Sequence, residues 1–249
     1  MFKLTLITLS VLLSFKSLAQ EAEKTSPATA VALEPVTITG SPSQPFKPYR
    51  AMFPGLKAFA RLQASLGPQS QLRFRISKKD ASDASIPPPA SLKVSLRGPE
   101  TAVALALDAD SGFELPLSQS LYDDDFDVIL NQPTLAYRWR PDVRSPGVPY
   151  NARRLGDLRL ECWVYSEISK ADMGFFARAA MNALTLGGDI CASKAFSFAT
   201  NAPEELASAR IVDADMARVL KTRGATFEVP VADMSWSNEA LIEFEFPRP

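Results

Sequence analysis

Histidine is absent from the 249-residue chain. It is the side chain that most often acts as a general acid or base near neutral pH and as a neutral metal ligand. Its absence excludes His-based catalytic triads and His-containing zinc sites. Serine nucleophiles activated by lysine are not indicated either, because the chain contains no S-x-x-K and no G-x-S-x-G motif. Carboxylates remain as the plausible catalytic groups.

The chain also lacks an excess of charge of either sign. Lysine and arginine total 27 residues against 28 aspartates and glutamates, and the formal net charge is -1. A nucleic-acid-binding domain is expected to be clearly basic, so we expect no nucleic-acid partner. A hydrophobic share of 46% with 22% charged residues is ordinary for a globular protein that buries a core.

Cysteine is scarce, since Cys162 and Cys191 are the only two in the chain. An even pair in an exported protein predicts a disulfide. The bridge would close a loop of about 29 residues and contribute roughly 3.5 kcal/mol in the chain-entropy description. Two free buried thiols and a two-cysteine metal site are the alternatives, although the metal site would have no histidine partner. We expect neither a metal nor a cofactor.

A long apolar run occurs at the N-terminus, where it has the features of a secretory signal peptide. Lys3 precedes an apolar stretch too short to span a bilayer, and small residues follow at the positions that a signal peptidase reads. We expect residues 1–19 to be removed, with an uncleaved anchor as the alternative. The mature protein is then expected in the periplasm or outside the cell, with no transmembrane segment.

Residues 20–54 are rich in proline, alanine, threonine and serine, which predicts an extended tether. Within it, residues 33–41 read Leu-Glu-Pro-Val-Thr-Ile-Thr-Gly-Ser. This short stretch resembles the N-terminal energy-coupling box of TonB-dependent outer-membrane receptors. The resemblance implies contact with another envelope protein, and the alternative is an ordinary β-prone linker.

Two parts of the chain share a pattern. Residues 112–117 read Gly-Phe-Glu-Leu-Pro-Leu, and residues 226–231 read Thr-Phe-Glu-Val-Pro-Val. Phe-Ala-Arg occurs at 59–61 and again at 176–178, each time in a stretch with apolar residues at helical spacing. Because the two pairs have nearly the same separation along the chain, we predict an internal duplication. The alternative is that two β-rich segments share common strand chemistry.

We therefore predict a mainly β fold of the α+β class. It would contain two similar antiparallel β-sandwich-like units, each preceded by one amphipathic helix. The first unit is expected at residues 55–136 and the second at residues 166–249, with an arginine-rich connector at residues 137–165. Within the connector, residues 158–164 alternate apolar and polar side chains, which predicts a strand.

Residues 108–116 read Asp-Ala-Asp-Ser-Gly-Phe-Glu-Leu-Pro. They resemble the D-x-D-G-x-F-x-L-P hairpin of carboxypeptidase-regulatory-like modules, which are small prealbumin-like β-sandwiches. Ser111 interrupts the family's pattern. The resemblance implies a sandwich-like fold and an accessory role, and it assigns no catalytic residue.

The connector concentrates arginines beside aromatic side chains. Guanidinium groups bind phosphate and carboxylate in a bidentate manner and stack on aromatic rings, so the connector is a candidate surface for anion recognition. The alternative is that these arginines pair with acids and join the two flanking units. The candidate ligand-binding residues are Arg138, Trp139, Arg140, Arg144, Arg153 and Arg154.

The functional expectation is a non-catalytic accessory or ligand-binding protein of a bacterial envelope. Its ligand would be an anionic envelope polymer or another envelope protein. One alternative is a hydrolase of cell-wall glycans that uses two carboxylates, for which Asp142, Asp157 and Glu161 near Trp139 and Trp163 are the candidates. A second alternative is a structural partner of an outer-membrane receptor or secretion complex.

Overall fold

A computed structural model describes residues 46–79, 88–185 and 189–248. The predicted signal peptide at 1–19 and the tether from 20 to 45 lie outside the described residues. The described chain has a mixed α+β fold that is rich in sheet, with fourteen strands in four antiparallel sheets. None of its helices is long and apolar enough to cross a membrane.

The fold contains four α-helices within the described ranges. They are α1 (Tyr49–Leu66), α2 (Gln119–Asp123), α3 (Leu155–Asp172) and α4 (Phe175–Leu184). The strands of the first half are β1 (Lys47–Pro48), β2 (Gln71–Lys78), β3 (Val94–Arg97), β4 (Ala102–Leu105), β5 (Gly112–Phe113), β6 (Asp127–Leu130) and β7 (Tyr137–Arg144). The strands of the second half are β8 (Ala152–Arg154), β9 (Phe198–Asn201), β10 (Ser208–Asp213), β11 (Met216–Val219), β12 (Thr222–Arg223), β13 (Thr226–Val229) and β14 (Leu241–Glu245).

The two halves build their four-stranded sheets in the same way. The first half has the strand order β1-β6-β3-β4, and the second half has the order β8-β14-β10-β11. In each half a short strand leads directly into an 18-residue helix. This short strand pairs with the strand of its sheet that comes last in the chain, β6 or β14. The registers correspond as well, since Pro48 lies opposite Asp127 and Arg154 lies opposite Leu241.

The two three-stranded sheets also correspond in part. In each sheet the strand that comes first in the chain, β2 or β9, pairs with the strand that carries one of the two matched phenylalanines. Phe113 of β5 lies opposite Phe74 of β2, and Phe227 of β13 lies opposite Thr200 of β9. The orders are β5-β2-β7 and β12-β13-β9. Thus β7 covers the second edge of β2, whereas the same edge of β9 has no strand partner within the described chain.

The helix that follows β8 corrects the prediction for the connector. Residues 158–164 were expected to form a strand, but they lie in the middle of α3. This helix is buried on almost every side, so its sequence lacks the polar face that reveals a surface helix. The helix at α4 is present where helical spacing predicted it, but α3 is the one that occupies the position of α1. The first helix also begins at Tyr49, within the predicted tether, rather than at residue 55.

Helices α1 and α3 pack against each other in an antiparallel arrangement, with a glycine at each end of the contact. A Cβ atom on Gly55 would lie 2.5 Å from Cγ1 of Ile168, and one on Gly156 would lie 2.1 Å from the carbonyl oxygen of Leu66. Real Cβ atoms essentially never lie this close to another heavy atom, so a side chain at either position would force the helices apart. The two glycines therefore allow α1 and α3 to pack in close contact.

Each half has its own hydrophobic core, and α3 contributes to both. Val164 and Ile168 at its C-terminal end pack into the first core. Leu155, Leu158 and Cys162 at its N-terminal end and middle pack into the second core. A disulfide joins Cys162 to Cys191, as predicted from the cysteine pair, and it ties α3 to the chain that follows α4.

Candidate anion-binding groove

Alternation along β7 places its polar side chains on one face of the sheet. Successive side chains of a strand point to opposite faces, so Arg138, Arg140, Asp142 and Arg144 share a face. Residues directly opposite in the paired strand lie on the same face, and Arg75 lies opposite Arg140. We call this surface the basic face. It consists of Arg73, Arg75, Arg138, Arg140, Asp142 and Arg144.

Asp142 is the single acid of the basic face, and four arginines surround it. Its carboxylate lies 3.2 Å from Nη2 of Arg73 and of Arg75, 3.1 Å from Nε of Arg144 and 3.7 Å from Nη1 of Arg153. Burial alone would raise the pKa of Asp142, but the charges of Arg153, Arg144, Arg75 and Arg73 outweigh it and hold the pKa well below its usual range. The carboxylate is therefore ionised at any physiological pH.

Two arginines of the basic face remain without a carboxylate partner among the described residues. Nε of Arg138 donates a hydrogen bond to Oγ of Ser77 at 3.1 Å, and Arg140 is exposed. Both line a small cavity of about 60 Å³ together with Arg75 and Arg153. Arg75 and Arg153 each also have a buried Nε atom without a hydrogen-bond acceptor among the described residues. Because buried donors in folded proteins are nearly always satisfied, this cavity is suited to an anionic group.

A larger cavity of about 360 Å³ adjoins the small one and shares Arg140, Pro141, Glu161 and Thr200 with it. Its volume lies at the lower end of the range for ligand pockets. Its walls are mostly apolar and come from α3, α4 and the start of β9, and they include Tyr165, Met173, Met181, Ile190, Phe196 and Phe198. We call the two cavities together the groove.

The wall of the larger cavity also contains a buried hydroxyl group. Ser166 of α3 is 6% exposed, and its Oγ atom has no hydrogen-bond partner within the described chain. Exposed Arg140 lines the same cavity. The groove thus combines an apolar wall with cationic groups and one orphaned hydroxyl.

The structure brings four of the six predicted site residues together. Arg138, Arg140, Arg144 and Arg153 line the small cavity. Trp139 lies on the other face of β7, where its ring packs edge-on against Phe74 at 6.0 Å between centroids. It also packs against the ring of Tyr165 and under the ammonium group of Lys47.

Arg154 is placed away from the groove and has a structural role. Its guanidinium group donates to the carboxylates of Glu239 and Asp157 and to the carbonyl oxygen of Leu66. Arg159 of α3 is buried in the same manner, and it donates to the carbonyl oxygens of a single loop. Those acceptors are Val231, Asp233 and Trp236, with the side chain of Asn238 as the fourth. The connector arginines therefore divide into buried structural groups and a cluster at the groove.

The acids proposed for glycan hydrolysis are all engaged by donors. Glu161 accepts hydrogen bonds from Nη2 of Arg153 at 2.7 Å and from Oγ1 of Thr200 at 2.9 Å. Asp157 accepts from the hydroxyl groups of Ser70 and Ser145 at 2.5 and 2.8 Å. A general acid needs a carboxyl group whose pKa is raised by an apolar pocket, and the pKa of Asp142 is shifted in the opposite direction.

Two contributors to the groove, Arg75 and strand β9, are not among the residues predicted from the sequence. Residues 72–76 alternate apolar and polar side chains, and this pattern is enough to place Arg73 and Arg75 on the polar face of a strand. Their position beside Arg140 could not be derived, because it depends on the register between β2 and β7, which are about 60 residues apart in the chain. The chain matches no family model, no curated protein and no solved structure.

Proposed function

We propose that this chain is an exported, non-catalytic binding protein of a bacterial envelope that holds an anionic ligand in the groove. The observation that carries the proposal is the small cavity. Arg138 and Arg140 line it without a carboxylate partner among the described residues, and two further lining residues, Arg75 and Arg153, each have a buried Nε atom without an acceptor. Charge-assisted hydrogen bonds from several guanidinium groups favour a carboxylate or phosphate ligand.

Export is supported by two independent features. Residues 1–19 have the pattern of a secretory signal. The disulfide between Cys162 and Cys191 is of a kind that persists in oxidising compartments and is rare in the cytosol of mesophiles. We infer a periplasmic or secreted protein from these two features together.

We also propose that the two halves are copies of one sandwich-like unit. The matching strand orders support this proposal, and so does the composition of the first core. That core combines Leu96 and Val128 from the four-stranded sheet with Phe74 and Phe113 from the three-stranded sheet. Two sheets that share one core in this way are typical of a sandwich.

A non-catalytic role is favoured over glycan hydrolysis by the surroundings of the three candidate acids. Each of them is buried and accepts hydrogen bonds or ion pairs from neighbouring donors, so none is presented to a substrate as a free acid or base. Structural carboxylates of this type hold arginines in place. The acids thereby position the guanidinium groups that a ligand would contact.

Titration with dextran sulfate, with uncharged dextran as the ligand control, tests the binding proposal. The double variant Arg138→Ala/Arg140→Ala is expected to bind dextran sulfate at least about tenfold more weakly, since two charge-assisted contacts are lost. Arg61→Ala/Arg223→Ala is the matched control, because it removes the same charge from exposed arginines outside the groove. Equal affinities of the two double variants would contradict the proposal.

A further inference from the structure

Strand β9 has an open edge at the position where the first half carries an additional strand. In the first half β2 pairs with β5 on one side and with β7 on the other. In the second half β9 pairs with β13 on the equivalent first side, and the described chain supplies no strand on the second side. An edge strand presents unpaired backbone groups that can pair with another chain.

The register identifies the backbone groups at this edge. The N–H group of Ala202 donates to the carbonyl oxygen of Ala225, at 2.8 Å. In an antiparallel ladder alternate residues bond to the same neighbour, so Thr200 and Phe198 also face β13. Ala199 and Asn201 then turn their N–H and C=O groups to the open side.

The first half shows how such an edge is filled. Matching Phe113 with Phe227 aligns Phe74 with Thr200. The alignment therefore makes Arg73 and Arg75 of β2 the counterparts of Ala199 and Asn201. In β2 these two residues lie opposite Asp142 and Arg140 of β7. A strand added to β9 in the same register would be antiparallel to it and would have a direct structural precedent in the same chain.

The groove lies along this open edge. Every residue from Phe196 to Thr200 lines the larger cavity, and residues 200–203 line the smaller one. Strand β7 forms the opposite wall and is itself the last strand of its sheet among the described residues. Pro141 of β7 lines both cavities, and proline is found at sheet edges because it has no N–H group to donate.

We propose that the groove binds an extended acidic peptide segment of a partner protein, which adds to β9 as an antiparallel strand. This inference rests on the proposed anion-binding function and specifies its ligand. Addition of a strand gives affinity through main-chain hydrogen bonds and specificity through alternate side chains. The charge of the partner follows from Arg138 and Arg140, which have no carboxylate partner in the described chain.

The two faces of the added strand would meet different surroundings. Carboxylate side chains would lie on the side of the basic face, near Arg138 and Arg140. The intervening side chains would point to the helical side, where Tyr165, Met173 and Met181 line the apolar cavity. The preferred segment therefore alternates acidic and apolar residues. An acyl chain with an anionic head would fill the same cavity, but it would leave the backbone groups of Ala199 and Asn201 unpaired.

Fluorescence anisotropy with defined peptides tests the inference. The probe is a labelled hexapeptide that alternates glutamate and valine, and the comparison peptide groups the three glutamates before the three valines. A third peptide has the alternating sequence with N-methyl groups on alternate amides, in both possible registers. The alternating peptide is expected to bind at least about tenfold more tightly than the grouped peptide and than one of the two N-methylated registers.

Substitution by proline in the edge strand gives a second, independent test. Ala199→Pro removes an N–H group that faces the groove and is expected to weaken binding of the alternating peptide at least about tenfold. Ala217→Pro is the matched control. It lies in the exposed edge strand β11, and the bond from Leu220 to Ala209 indicates that its N–H group also faces away from its sheet.

The outcomes separate failure of this inference from failure of the proposed function. If all peptides bind equally while binding of dextran sulfate still requires Arg138 and Arg140, the groove recognises charge alone and the proposal of strand addition is wrong. Displacement of dextran sulfate by dodecanoate, with no binding of any peptide, would overturn it in favour of an amphiphile. Both proposals would be contradicted if dextran sulfate bound equally well to the wild type and to Arg138→Ala/Arg140→Ala. Because the N-methylated peptides are tested on the wild-type protein, the result does not depend on the folding of Ala199→Pro.

Discussion

The two halves of the molecule share their order of helix and sheet but differ at one sheet edge. In the first half β7 covers the edge of β2, and Asp142 ties the arginines of both strands together. In the second half the same edge of β9 borders a groove. Within the described residues, the two halves therefore differ at one position, where the first half has the strand β7 and the second half has the groove.

The largest expected loss of stability comes from substitutions in the two cores, and it tests whether Phe113 and Phe227 have the same role in the two halves. Phe113 and Phe227 are 1% and 0% exposed. Substitution of either residue by alanine is expected to lower the free energy of unfolding by about 3–5 kcal/mol, since a buried phenylalanine leaves a cavity. Urea denaturation measures both values. Phe176→Ala at an exposed position should change stability by less than about 0.5 kcal/mol. A small loss of unfolding free energy at only one of the two buried positions would show that the two phenylalanines are not equivalent.

The disulfide lies in the core of the second half. The residue of α1 that corresponds to Cys162 is Leu56, so the first half has no equivalent bridge. We expect Cys162→Ala/Cys191→Ala to lose about 2–4 kcal/mol of stability, because the unfolded chain is no longer constrained. Wild-type protein in a reducing agent should match the double variant in urea denaturation. Stability that is unchanged in both samples would show that the bridge is not needed.

Acid is expected to lower the stability of the protein through protonation of Asp142 in the first half. Its pKa is lower in the folded than in the unfolded protein, so the unfolded state binds more protons and the stability falls as the pH drops below about 4. Asp142→Asn should be less stable near neutral pH and should have a shallower dependence on acid. Asp124→Asn at an exposed site serves as the control for acid titration. Parallel stability curves of the wild type and Asp142→Asn would contradict the assigned role.

The smallest expected effect on stability concerns the arginines that line the groove without a carboxylate partner, in contrast to the buried and ion-paired Arg153. Arg138→Ala/Arg140→Ala should change the free energy of unfolding by less than about 0.5 kcal/mol, because neither side chain has a described carboxylate partner. Arg153→Ala should instead cost about 3–5 kcal/mol, since it leaves Glu161 buried without its cation. Thermal or urea denaturation compares them. A large loss in the double variant would assign Arg138 and Arg140 to the structure rather than to binding.

Local patterns in the sequence predicted part of this fold correctly. The cysteine pair forms the predicted bridge, and Phe113 and Phe227 both lie in strands, as their alternating surroundings predicted. The strand expected at 158–164 is wrong because a helix buried on nearly all sides has no polar stripe. Its charged residues, Arg159 and Glu161, are buried by partners distant in sequence, and a local pattern does not contain those partners.

The candidate site was predictable only in part for the same reason. Arg138, Arg140 and Arg144 are three alternate residues of one strand, so their common face follows from a period of two. Trp139 lies between them and necessarily points to the opposite face. Which arginines would be neutralised depends on the pairing of β7 with β2 and on the packing of α3 beneath it. Those contacts are set by the tertiary structure.

Amide hydrogen exchange at the edge of β9 tests the central claim most directly. The alternating glutamate–valine peptide should slow exchange of the N–H groups of Ala199 and Asn201, since an added strand would accept hydrogen bonds from them. The outward N–H group of Ala217 in β11 should exchange at the same rate with and without the peptide. Equal exchange of Ala199 with and without saturating peptide would contradict strand addition at the groove.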